Sequence, residues 1–180
     1  MASSTPTPKT PNAFRRGIRR IYQPFGFKKG YNFSLFFLSA GALLGFTLAR
    51  IQYLNYNGVY LPDAPPGESY WQSNGHYKKG LLLHLSCILP ASFLIILQFV
   101  PVVRHKFIIF HRISGYIIIL LIATSNAGAL MIARRGFGGT IETQAGMGLL
   151  VIITTVGIAL AYYNIKRLQI DQHRAWMLRS

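Results

Sequence analysis

Four apolar stretches, at 33–54, 80–101, 107–133 and 145–165, constrain this chain more than anything else in it. Each is long enough to cross ~30 Å of hydrocarbon as a helix. No water reaches the backbone in that solvent, so a spanning segment must satisfy its own N–H and C=O groups, which a helix does internally. The reading is an all-α polytopic transmembrane helical bundle, a multi-pass membrane protein of four spans. Residues 1–30 lie ahead of it as a basic tail, and 31–180 form the transmembrane domain. A hydrophobic fraction of 51% with 12 Phe and 10 Tyr exceeds what a soluble chain of this length carries, and the surplus is expected to face lipid.

The charge is lopsided. Only Asp63, Glu68, Glu142 and Asp171 oppose 19 lysines and arginines, for a net charge of +15. Nucleic acid is not the partner this implies, because the basic residues cluster at the ends of the apolar runs, where anionic headgroups favour each by ~1 kcal/mol. Lys9, Arg15, Arg16, Arg19, Arg20, Lys28, Lys29, Arg104, Lys106, Arg112, Lys166, Arg167, Arg174 and Arg179 fall on one side of the bilayer. Arg50, Lys78, Lys79, Arg134 and Arg135 fall on the other, so the positive-inside rule puts the N-terminus in the cytosol or its equivalent. The lipid bilayer, with anionic lipids among its components, is the partner the composition calls for; no oligomeric state follows from it.

The first 30 residues lack the apolar core of a secretory signal, and Pro6, Pro8 and Pro11 make the start a disordered tail. From Asn12 onward Phe14, Ile18, Ile21 and Tyr22 recur at helical spacing opposite Arg15, Arg16, Arg19 and Arg20, which reads as an amphipathic helix lying on the membrane. The same acid-free, arginine-rich segment also fits a mitochondrial presequence. The single cysteine, Cys87, excludes an internal disulfide.

Small and polar residues mark the helix faces that turn inward. Gly41 and Gly45 give the first span a GxxxG spacing. A stripe from His111 through Gly115, Ile118, Ile122, Ser125 and Ala129 marks the third, and Thr154, Thr155, Gly157 and Ala161 mark the fourth. Pro90 is expected to kink the second. Tyr162, Tyr163 and Trp176 suit one interfacial belt, and Tyr53, Tyr56 and Tyr60 the other.

Polar groups at membrane depth are costly and therefore candidates for function. His84 lies about one turn inside the second span, where Ser125 and Asn126 of the third could bond it. His111 opens the third span and His173 follows the fourth, each followed by arginine, as His111-Arg112 and His173-Arg174. The parallel suggests that His173 begins a fifth helix, of which the chain carries a stub. Three roles fit these pairs. The histidines could ligate one haem b while Arg112 or Arg174 pairs a propionate. The pairs could hold an anionic lipid headgroup or another phosphate. They could also cap helix starts and snorkel to the interface without chemistry. A two-haem ladder is not supported, since no span carries two histidines. His76 and His105 read as solvated. The loop at 55–79, with Asp63, Glu68, Tyr60, Tyr70 and Trp71, is either a lid or an ordered cap. No HExxH, Walker-type loop or GxSxG occurs, so no enzyme class follows.

His84, Pro90 and Gln98, then the run from His111 to Tyr116, then the run from His173 to Ser180, resemble the membrane proteins known as domain of unknown function 2306, in a fungal-type form. The likeness covers residues 34–180. It implies a multi-span helical protein with His84, His111, Arg112, His173, Arg174 and Arg179 as the positions to watch, and further apolar segments after the closing run. It implies no reaction.

Overall fold

The structure, a computed structural model, describes residues 13–73 and 75–180. Among them the regular secondary structure is all helical. A short helix α1 (Ala13–Tyr22) leads into α2 (Gly30–Ile51), which continues as a tighter turn to Leu54. The turns that follow are Tyr56–Tyr60, α3 (Leu61–Asp63) and α4 (Pro66–Gln72). Then come α5 (Gly75–Gln98), α6 (Pro101–Lys106), α7 (Ile108–Ile132), α8 (Ile141–Lys166) and α9 (Ile170–Met177). The four long helices, α2, α5, α7 and α8, are each apolar and long enough to cross a membrane, and the protein is a multi-pass membrane protein. Residues 1–12, including the tail prolines and Lys9, lie outside the described residues.

Local chemistry explains where the helices differ from the apolar runs. The second begins at Gly75, whose φ of +69° admits a left-handed entry that other residues resist. It stops at Gln98 because Pro101 forces Val100 out of the helical region, to ψ 117°, and then starts α6 itself. The fourth begins at Ile141, ahead of its apolar core, because Thr140 caps it by accepting a hydrogen bond from the Thr143 N–H at 3.3 Å and Glu142 complements the dipole of the first turn. Through Pro90, α5 runs without interruption.

The bundle is built on one close contact. A Cβ on Gly128 would lie 2.6 Å from the Gly80 carbonyl oxygen and 2.7 Å from the His84 nitrogen, so α5 and α7 touch backbone to backbone there. Leu81, Leu85 and Leu89 on α5 and Ile118, Ala129 and Ile132 on α7 are buried around it. By contrast, α2 buries only Thr47, and nothing lies within 4 Å of a Cβ on Gly41 or Gly45. The GxxxG spacing is therefore not where the helices of this chain meet. An aromatic cluster of Tyr22, Phe25, Phe27, Phe33 and Phe36 anchors one end of α2.

At the other end the loop forms an ordered cap. Tyr56 is buried against Leu81, Leu85 and Ile132, and its hydroxyl donates to the Gln72 carbonyl. The Tyr60 hydroxyl bonds the Gln72 side chain and Glu68, and the Gln72 amide donates to Glu68 Oε1 at 2.8 Å. From the turn after α7, the Arg135 guanidinium sits over the Trp71 ring at 4.0 Å, joining the two loops on that side.

Two outcomes are expected. Gly128→Ala should destabilise the detergent-solubilised protein by about 1–3 kcal/mol, seen as a lowered thermal unfolding midpoint, because the new methyl group meets backbone that cannot move alone. Gly41→Ala should change the midpoint little. Burial, and then the charge of Glu68, push the Tyr60 phenol above its ordinary range, and burial does the same to Tyr56. The neutral forms are thus favoured in the folded cap, and the stability they add falls as pH rises past about 10, where an unfolded tyrosine ionises. Limited proteolysis of the 61–72 segment should accelerate above that pH, and Tyr60→Phe should reduce this dependence.

Candidate functional site

The polar residues at membrane depth divide into two clamps. Ser125, fully buried on α7, places its Oγ 2.8 Å from His84 Nδ1 on α5, and the same ring nitrogen lies 3.1 Å from the Ser125 carbonyl oxygen. Asn126 faces elsewhere, since successive residues on a helix are turned by about 100°. Its Nδ2 donates to Thr154 and Thr155 of α8, at 3.1 Å each. Consecutive residues of α7 therefore bind the helices on either side. Sequence pairs His84 with Ser125 and Asn126 alike; the structure gives it Ser125.

At the arginine-rich end, α6, α7 and α9 bring basic groups together. Helix α9 folds back along α8, so that Ser180 lies beside Gly157, and the His173 ring stands 2.9 Å from the Ala161 carbonyl. A carbonyl only accepts, so Nδ1 carries the proton there and neutral His173 keeps its lone pair on Nε2. The start of α7 is fixed by Gln98, whose Nε2 donates to the His111 carbonyl at 3.1 Å and to Ser114 Oγ at 2.6 Å. His111 Nδ1 is buried and has no hydrogen-bond partner. Arg104, His173 and Arg112 are all close enough for their charges to act on His111. The Arg104 guanidinium is itself held below its usual range, mainly by burial and then by the charge of Arg174. A carboxylate, Asp171, approaches Arg174 at 4.0 Å, but both groups are exposed and such a pair is weak.

The structure thus places His111, His173 and Arg174 in one neighbourhood, with Arg112 exposed beside it. It adds Arg104, which sequence reasoning counted only as a topology charge. The signal available was its position in the tight connection between the second and third spans, which holds it near the His111 turn. Among the described residues no group of three or more His, Cys, Asp or Glu is placed to hold a metal ion. One crevice lies between α7 and α8 and another beside the cap, and neither is lined by His111 or His173.

The clamp between α5 and α7 predicts a measurable coupling. In a double-mutant cycle of His84→Leu and Ser125→Ala, the interaction term should be about 0.6 kcal/mol, the average for hydrogen bonds between transmembrane helices. Additive effects of the two substitutions in thermal unfolding would remove the bond from the account.

The family described as Predicted membrane protein (DUF2306) matches residues 81–180, which run from the first turns of α5 to the end of α9 and include every histidine and arginine of the site. The Ava biosynthesis cluster protein G of Aspergillus versicolor is 20% identical over 174 residues, covering 83% of this chain and 51% of that protein. The chain therefore spans about half the length of this curated relative. No solved structure matches. With more than half of its length matched, from the glycine-packed helix pair through the closing His173-Arg174 helix, the chain belongs to the DUF2306 family of predicted membrane proteins.

Proposed function

We propose that the arginine-rich end of α6, α7 and α9 binds the anionic headgroup of a membrane lipid, on the cytosolic leaflet if the positive-inside rule sets the orientation. The observation that carries this reading is Arg104, partly buried and under the charge of Arg174, next to His111 and with no buried carboxylate among the described residues to balance it. Like charges gathered in a place of reduced dielectric repel one another, and a phosphate oxygen set among them offsets that repulsion through charge-assisted hydrogen bonds. His173, its Nδ1 tied to the Ala161 carbonyl, presents Nε2 as an oriented polar atom, and Arg112 supplies an exposed positive charge at the rim.

The protein in nanodiscs of phosphatidylcholine, titrated with short-chain phosphatidylglycerol, tests this. Arg104→Gln and Arg174→Gln should each weaken binding about tenfold, the effect of one lost charge-assisted contact, while Lys9→Ala should not. Inorganic phosphate should compete poorly if the lipid is the ligand. Unchanged affinity in both arginine variants ends the proposal.

The unpartnered Nδ1 of His111 favours a second reading, one haem b held by His111 and His173 with Arg174 toward a propionate. When bound, such a haem would supply one-electron chemistry; His173 Nε2 would be the free donor atom on its side. A Soret band in the purified protein that disappears in His111→Ala supports it, and a colourless preparation from haem-supplemented cells sinks it.

A further inference from the structure

Although α7 packs tightly on α5, it meets α8 more sparsely, at Asn126 and at Tyr116, and a crevice of about 210 Å³ opens between them within the bilayer. Its walls are Ile122, Ala123, Ile158 and Ala159, with alanine on both sides where a larger residue would fill the gap. Asn126 and Thr155 close its inner end, and their polar groups are bonded to each other. Tyr162 forms the outer end. There the Tyr116 and Tyr162 rings meet edge to face, with centroids 6.2 Å apart, and the Lys166 ammonium lies 5.4 Å from the Tyr162 ring and within reach of both hydroxyls. From Asn126 to Ile119 on α7 and from Thr155 to Tyr162 on α8 the lining covers about 10 Å of helix, and the slot opens toward the Lys166 end of the bundle.

We infer that this crevice seats one acyl chain of an acidic phospholipid, whose phosphate is held at the mouth by Lys166 and the hydroxyls of Tyr116 and Tyr162. This goes beyond the proposed function: it uses none of the arginine and histidine residues above and stands without them. Charge decides the headgroup, because the mouth offers one ammonium and two phenols and no carboxylate among the lining residues. The apolar walls, with small residues on both helices, suit an extended hydrocarbon chain. Water is excluded, since the one amide facing the slot already donates to two threonines and the walls are apolar.

The protein reconstituted in bilayers, probed by electron paramagnetic resonance with spin-labelled phosphatidylglycerol and spin-labelled phosphatidylcholine, tests this. The wild type should show a motionally restricted component favouring phosphatidylglycerol. Lys166→Gln, at an exposed position that folding does not need, should remove that preference while leaving the restricted chain. Ala159→Phe, which fills the slot, should reduce the restricted component for both lipids, whereas Ala127→Phe on an exposed face should not. Arg104→Gln should alter neither effect, which separates this seat from the arginine cluster. The inference is overturned if Lys166→Gln keeps the preference or Ala159→Phe keeps the restricted component. Disulfide formation between two chains through Ala123→Cys, in a Cys87→Ser background, would also overturn it by putting a second copy in the slot.

Discussion

Between Gly80 and Gly128 two helix backbones come within side-chain distance of each other, and the arrangement of the other helices follows from that contact. Hydrocarbon offers no hydrophobic gain for pressing helices together, since lipid tails are as apolar as leucine. What holds α5 to α7 is dense packing around the missing side chains and the bond between His84 and Ser125, which can form only because the backbones are close. Remove the closeness and the histidine is left polar and unpaired at depth, a far costlier state.

The same economy orders the rest of the polar groups. At depth, His84, Ser125, Asn126, Thr154 and Thr155 are satisfied by one another, which makes them structural ties between neighbouring helices. Toward the arginine-rich end the pattern reverses: His111 Nδ1 is buried without a partner, and the charge of Arg174 acts on the partly buried Arg104, with only the exposed Asp171 approaching Arg174. Ties of the first kind explain themselves. It is this contrast, not basicity as such, on which the proposed headgroup site at the end of the bundle rests.

The four spans, their helical character and the inward stripe on α7 were legible in the sequence because hydrophobic length and the positions of small residues determine them. Ile118, Ser125 and Ala129 are buried as that stripe requires. The partner of each span was less legible. Gly41 and Gly45 have the spacing of a helix contact and meet nothing, whereas Gly80 and Gly128, which carry the contact, sit in no recognisable pair on one helix. Close approach is a property of two helices, and a single-helix pattern registers only half of it. The proximity of His111 and His173 could be suspected from the repeated His-Arg pair, whereas for Arg104 the signal was fainter, its place in the tight, Pro101-led connection between the second and third spans.

The helices also differ in how firmly they belong together. The family match begins at residue 81, and from there α5, α7, α8 and α9 are linked by glycine contacts and interhelical hydrogen bonds. Ahead of it, α2 is tied at its two ends, by aromatic rings on one side and by the tyrosine cap on the other, with its middle exposed. Leverage at such a helix passes through the cap: Tyr56 and Tyr60 connect the end of α2 to Gln72 and Glu68, and Arg135 on Trp71 connects the cap in turn to the end of α7. Helix α7 thus joins three of these regions, with the cap contact at one end, the two clamps in its middle and His111 at the other. A displacement of α7 relative to α5 would be felt at both membrane faces, because neither its glycine contact nor its hydrogen bonds allow the two helices to slide independently.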